Sequence, residues 1–144
     1  MSGPARRIVE CADAATDAAT WPVMAQLRPH IPQADYPAAL SRVRAEGARL
    51  IAAFEGERCV GAAVYRFNKR LAMGPIVYVD DLVTDQAARS TGVGEALLSW
   101  IEEAGRNAGA GWCVLDSSVQ RAAAHRFYFR NRYDIAAFCF KKRL

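Results

Sequence analysis

Six residues, Arg89-Ser90-Thr91-Gly92-Val93-Gly94, have types and spacing suited to holding a ligand. Glycines at 92 and 94 carry no Cβ to keep a ligand from the backbone, and they accept positive φ. Before them, Ile76-Val77-Tyr78-Val79-Asp80-Asp81-Leu82-Val83-Thr84 is rich in β-branched and aromatic residues and reads as a largely buried strand. After them, Val93, Ala96, Leu97, Trp100, Ile101 and Ala104 recur at the spacing of one face of an α-helix. The first N–H groups of such a helix lack intrahelical acceptors, and its dipole favours an anion. This order of strand, glycine loop and helix start suits a pyrophosphate.

The residues around the loop discriminate among three phosphate-binding patterns. A Walker loop needs Lys and Ser/Thr after its last glycine, whereas Glu95 and Ala96 follow Gly94. The dinucleotide fingerprint needs its first glycine close to the strand and a Gly or Ala three places after the second, where Leu97 stands. What remains is Arg or Gln, two residues, Gly, one residue, then Gly or Ala.

Other residues able to do chemistry lie on the elements around this loop. Asp80 and Asp81 sit on the strand leading into it, and strand alternation points them to opposite faces. Arg121–Arg130 reads as a helix with Ala124, Phe127 and Tyr128 on one face; His125 is expected at its surface and His30 in a solvated loop. Cys11, Cys59, Cys113 and Cys139 lie far apart, without a Cys-x-x-Cys pair or neighbouring histidines. They are expected to be buried, reduced thiols, and no metal site is implied.

Positioning these groups takes a series of short elements. Residues 7–11 form a first strand, followed by a helical region opening at Asp13 or Thr16 and running through Leu27. A second helix opens near Asp35, with Pro37 in its first turn, and stops near Gly47. Residues 49–55 and 59–67 flank a Gly56-Glu57-Arg58 hairpin turn, and 68–74 link this hairpin to the strand ending at Thr84. Residues 112–116 form another buried strand, and Ile135–Phe140 a final one. The order β, α, α, β, β, β, α, β, α, β predicts an α/β fold: one mixed sheet with helices on both faces.

This order, the glycine loop, and Ala124-His125-Arg126-Phe127-Tyr128, which matches an Ala-x-x-Phe-Tyr helix, resemble the GNAT acetyltransferase superfamily over nearly the whole chain. The resemblance implies a mostly antiparallel sheet and acetyl-CoA as cosubstrate. Arg89, Ser90, Thr91, Gly92, Val93 and Gly94 would hold the pyrophosphate, while Leu82, Val83 and Thr84 would offer backbone groups to pantetheine. It also implies that Asp80 stands where many members carry a glutamate base, and that Tyr128 is the general acid toward the departing thiolate. Acceptor specificity would fall on Asp35, Tyr36, Tyr65 and Asp116. The chain departs from the family at two places: Arg121 replaces an Asn that often begins the last helix, and Arg132 replaces a Gly before Tyr133. Asn131 is expected to take the left-handed conformation instead.

The activity so implied is acetylation of a primary amine on a small molecule, by direct attack in a ternary complex. The alternatives are a protein or peptide amine, or a coenzyme A-binding regulator without turnover. The Tyr128 region is also similar, more loosely, to GNAT members acting on aminoglycosides and aminoalkylphosphonates.

Composition bounds the remaining expectations. The 144 residues are 52% hydrophobic, enough for one packed domain spanning 1–144. The net charge of +4 comes from scattered arginines, with no basic stripe or recognition motif of a nucleic-acid binder, and it suits a polyphosphate ligand. No apolar run approaches the roughly 20 residues of a membrane span, and no signal-type segment opens the chain, so a cytoplasmic location is expected. A homodimer paired along the apolar final strand is a further expectation.

Overall fold

Runs of β-branched and small apolar residues become strands, and the periodic segments become helices, in the order the sequence predicts up to residue 130. The computed structural model describes residues 4–144. Two units divide the chain, Met1–Val114 and Leu115–Leu144. The elements are β1 (Arg6–Glu10), α1 (Ala14–Leu27), α2 (Tyr36–Ala45), β2 (Arg49–Glu55), β3 (Arg58–Arg70), β4 (Gly74–Thr84), α3 (Val93–Asn107), β5 (Trp112–Leu115) and α4 (Ala122–Arg130). Short 3-10 turns at Gln33–Asp35 and Gln86–Ala88 precede α2 and α3. The five strands form a single mixed sheet in sequential order, and β1 to β4 pair antiparallel.

Local chemistry sets the helix ends. Asp13 caps α1, its Oδ1 accepting from Thr16 N at 2.8 Å. At the end of α2, Gly47 adopts a φ of +94°, and the N–H of Ala48 donates back to Val43 O at 3.0 Å. That geometry is a Schellman closure, which glycine enters without steric cost.

Each face of the sheet receives its own helices. On one, Val23 and Met24 of α1 and Tyr36 and Leu40 of α2 pack with Leu50, Ala52, Phe54, Ala62, Val64 and Val83. On the other lies α3, which buries Val93, Leu97, Leu98, Ile101 and Gly105. Each fully buried Leu or Ile contributes roughly 1.5–3 kcal/mol. Two glycines bring this helix close. A Cβ on Gly61 of β3 would lie 2.5 Å from Val93 Cγ1, and one on Gly105 would lie 2.7 Å from Val77 Cγ1.

The β3–β4 hairpin is longer than expected. Pairing runs from Gly61 opposite Thr84 to Arg70 opposite Gly74, so residues 68–70 join the ladder and only 71–73 form the connection. The Arg70 guanidinium lies 5.4 Å from the Tyr78 ring centroid, a cation–π contact that supports the extension.

Within the unit Leu115–Leu144, α4 ends in a second Schellman closure. Arg132 N donates to Phe129 O and Tyr133 N to Tyr128 O, both at 3.0 Å, and the Tyr128 and Tyr133 rings meet edge-on. The left-handed residue is Arg132, with a φ of +67°, while Asn131 keeps a φ of −91°. This corrects the expectation at Asn131: the closure's hydrogen bonds fix the position of the αL residue, one place later than propensity suggests.

The final strand is also corrected, because Ile135–Phe140 forms none. Strand propensity measures fit to a pleated, half-buried surface, and this segment has no ladder partner among the described residues. Its Ile135, Phe138 and Phe140 side chains are exposed.

Candidate active site

The glycine loop sits where β4 leaves the sheet and α3 begins. Gly92 is the N-cap of α3 with a φ of +86°, and no side chain caps the helix. The first-turn N–H groups therefore remain directed outward, in contrast to α1, whose cap is filled by Asp13. Ser90 also adopts positive φ, +62°, a conformation costly for a residue with a Cβ. Arg89, Ser90, Thr91 and Gly92 are exposed, Gly94 is half-buried, and the Val93 side chain is withdrawn into the layer beneath α3.

Several residues that sequence reasoning missed hold this loop. Arg6 of β1 donates to Thr91 O and to Thr91 Oγ1, while its Nε and Nη2 bind Glu55 Oε1. Thr91 Oγ1 in turn donates to Ala88 O at 2.6 Å. Upstream, Asp85 accepts from Gln26 of α1, from Ala87 N and from Arg58. The Gln26 bond, followed by the Arg58 bond, holds the Asp85 carboxyl below its ordinary range. Gln26 Oε1 also accepts from Gln86 N at 3.0 Å. These partners lie far away in sequence, so no local pattern signals them.

Asp80 and Asp81 do not alternate. The register changes between Val64, opposite Asp81, and Tyr65, opposite Val79, which leaves Asp80 as the extra residue of a β-bulge. Val79 therefore faces the α3 side with Tyr65, whereas Asp81 and Val83 face the α1/α2 side with Val64 and Ala62. The Asp80 carboxylate turns to that side as well. Its Oδ2 accepts from Arg66 Nε at 2.7 Å, and Arg66 Nη1 reaches Glu46 O at the end of α2. Asp81 Oδ1 accepts from Arg28 Nε at 2.7 Å, just past the end of α1. The expectation of opposite faces is thus overturned, because one inserted residue cancels one step of alternation.

Leu82, Val83 and Thr84 continue β4 towards the loop, opposite Ala63, Ala62 and Gly61 of β3. Two of the residues considered for the acceptor are core residues instead. Tyr36 is 4% exposed and its hydroxyl bonds Thr20 Oγ1 at 2.8 Å; burial pushes its pKa up to about 12. Tyr65 is 1% exposed, packed edge-on against Trp100 at 5.8 Å, with burial raising its pKa. Neither offers surface to an acceptor; a tyrosine beside a charged residue, as Tyr36 is beside Asp35 and Tyr65 beside Arg66, looks the same in sequence whether buried or not. Asp35 is exposed in the turn before α2.

In the unit Leu115–Leu144, Asp116 is exposed and Tyr128 half-buried on α4, on the face shared with Ala124 and Phe127 as predicted. His125 is half-buried rather than on the surface. Its Nε2 donates to Ser118 O at 2.9 Å, closing the turn before the helix. His30 is exposed. Cys11 and Cys59 are buried, as expected, but Cys113 is half-buried and Cys139 exposed, the latter because the final strand does not form. Among the described residues, no group of three metal-ligating side chains gathers, and no helix is long and apolar enough to cross a membrane.

Comparison with known proteins gives the family and the fold. The acetyltransferase (GNAT) family profile matches residues 13–132, so the chain belongs to that family and is an enzyme of the acetyltransferase class. An uncharacterized N-acetyltransferase of Bacillus subtilis (strain 168), YhdJ, is 33% identical over 129 residues, 87% of this chain and 89% of its own. The aminoalkylphosphonate N-acetyltransferase of Salmonella typhimurium is 39% identical over 66 residues, 46% of this chain and 43% of its own. In fold, the chain is similar to the aminoglycoside N-acetyltransferase AAC(6')-Iy in complex with CoA, with a TM-score of 0.85 at 17% identity over 99% of this chain and 97% of that one. A transcriptional regulator from Bacillus halodurans C-125 shares the fold with a TM-score of 0.80 at 24% identity, over 97% of this chain and 100% of that one.

Proposed function

We propose that this enzyme transfers the acetyl group of acetyl-CoA to a primary amine of a small molecule, by direct attack in a ternary complex. The observation that carries this reading is the start of α3, a helix N-terminus left uncapped at Gly92 and entered through left-handed backbone at Ser90 and Gly92. Its free N–H groups suit the pyrophosphate of coenzyme A, with Arg89 beside them. One edge of Leu82–Thr84 is already paired with β3, so pantetheine would take backbone groups on the other edge. Relatives named for aminoalkylphosphonate and aminoglycoside acetylation support a small-molecule acceptor.

The chemistry follows from the acceptor's charge. A primary alkyl amine has a pKa near ~10.4 and is mostly ammonium at neutral pH, so it must lose a proton before it attacks the thioester carbonyl. Asp80 is the candidate base. Because Arg66 occupies its Oδ2, the proton transfer would run through water to the carboxylate's other oxygen. A backbone N–H near Leu82 would stabilise the oxyanion of the tetrahedral intermediate. As the intermediate collapses, the C–S bond breaks and Tyr128, the candidate general acid on the Ala-x-x-Phe-Tyr helix, would give its proton to the departing sulfur.

Incubation with acetyl-CoA and a panel of small amines, aminoglycosides and peptides, followed by mass spectrometry of free coenzyme A and products, tests the reading. An N-acetylated small amine supports it, and product on peptides alone replaces it with the peptide alternative. Binding of acetyl-CoA without any product favours a regulator.

A further inference from the structure

The β4 bulge gathers two carboxylates and two guanidiniums on the α1/α2 face. Arg66 pairs with Asp80 and Arg28 with Asp81, each at 2.7 Å, and Arg28 Nη2 also donates to Asp80 O at 3.4 Å. Side-chain exposures run from 19% for Arg66 and Asp81 to 38% for Arg28, so the group is open to solvent on one side while protein backs the other. Its formal charge is zero. An acceptor carrying several ammonium groups therefore gains no net attraction, since each ammonium that approaches a carboxylate also approaches a guanidinium.

Each guanidinium has five N–H donors in a planar fork. Among the described residues, Arg66 uses two of them, to Asp80 Oδ2 and Glu46 O, and Arg28 uses two, to Asp81 Oδ1 and Asp80 O. The remaining donors match the geometry of a carboxylate or phosphonate, which guanidinium binds in a bidentate manner. We propose that the acceptor is an amino acid-like molecule in the broad sense, a primary amine bearing its own carboxylate or phosphonate a few atoms away. Arg66 and Arg28 hold the acid group, and the amine faces Asp80. This specificity rests on the acetyl-transfer reading above.

Three acceptors of one chain length test it: 1-propylamine, 3-aminopropylphosphonate and 1,3-diaminopropane, each assayed for kcat/KM with saturating acetyl-CoA. The phosphonate is expected to exceed propylamine by roughly 30-fold, mainly through KM, as two charge-assisted contacts provide. The diamine is expected to gain nothing. Arg66→Met and Arg28→Met should each lower the phosphonate-to-propylamine ratio by about tenfold, with Arg66→Lys keeping part of it. A purely structural pair of ion bridges would change all three acceptors alike and leave that ratio unmoved. A wild-type ratio near one, or a preference for the diamine, overturns the proposal while leaving the transferase reading intact; no turnover with any amine overturns both.

Discussion

Arg6 Nη1 donates to the carbonyl oxygen of Thr91 at 3.1 Å, joining the first strand to the glycine loop across 85 residues of sequence. Glu55 binds the same guanidinium at 2.9 Å and so fixes its direction. The loop thus owes part of its shape to an ion pair on the first two strands. Replacing Arg6 by Gln is expected to raise the Kd for acetyl-CoA about 3- to 10-fold by titration calorimetry, the loss of roughly one charge-assisted hydrogen bond. Glu55→Gln should act in the same direction and more weakly. Unchanged affinity in Arg6→Gln would show that the loop holds its form unaided.

Gly61 permits the first turn of α3 to rest on the sheet, and an added methyl would press on Val93. Gly61→Ala should destabilise the protein by about 1–3 kcal/mol in urea unfolding, the usual cost of overpacking. Adding Val93→Ala removes the colliding group and should recover part of that loss. A further loss in the double variant would contradict this account of the contact.

Arg132 bears the left-handed strain at the end of α4. Arg132→Gly should stabilise the last turn by about 0.5–1 kcal/mol, after allowing for glycine's greater freedom in the unfolded chain. Amide exchange of Asn131 and Tyr133 would slow accordingly. Asn131→Gly, at a negative φ, should speed it instead.

Asp85 has its folded pKa lowered by its bonds from Gln26 and Arg58. Its contribution to stability is therefore present above the ordinary carboxylate value of 3.8 and is lost as pH falls through the lower folded value. The Tm difference between wild type and Asp85→Asn should hold steady from pH 7 to 5, then shrink below pH 4. A difference independent of pH would remove the charge from the explanation.

Burial raises the thiols of Cys11 and Cys59 to about 11 from 9.0. Iodoacetamide at pH 8 should alkylate exposed Cys139 first and reach Cys11 and Cys59 only on unfolding. Protonated thiols favour the folded state, so their contribution is full below pH 9 and is lost as pH rises through 11. Peptide mapping by mass spectrometry gives the order of labelling.

Much of this was legible in the sequence because periodic signals are local. The stripe Val93, Leu97, Ile101 fixed α3, and glycines at 47 and 92 marked a helix end and a helix start. The bulge at Asp80 was not legible, since an extra residue changes no composition and shows only in the register against β3. Tyr36 and Tyr65 were misplaced for a related reason. Their burial is decided by Thr20 and Trp100, residues brought near by the fold rather than by spacing. At Ile135–Phe140, propensity indicated a strand but carried no information about a partner.

The bulge makes β4 a strand with two phases. Up to Val79 its odd-numbered side chains serve the α3 layer, and from Asp81 onward they serve the α1/α2 layer. Deleting residue 80 would close the bulge and leave Leu82, Val83 and Thr84 on their present faces, whereas keeping it and pairing Asp80 with Val64 in an unbroken ladder would turn all three over together. Substitution at this position changes one carboxylate, whereas drawing residue 80 into the ladder would exchange the two surfaces of the segment that leads to the glycine loop. Register is thus a stricter requirement here than side-chain identity.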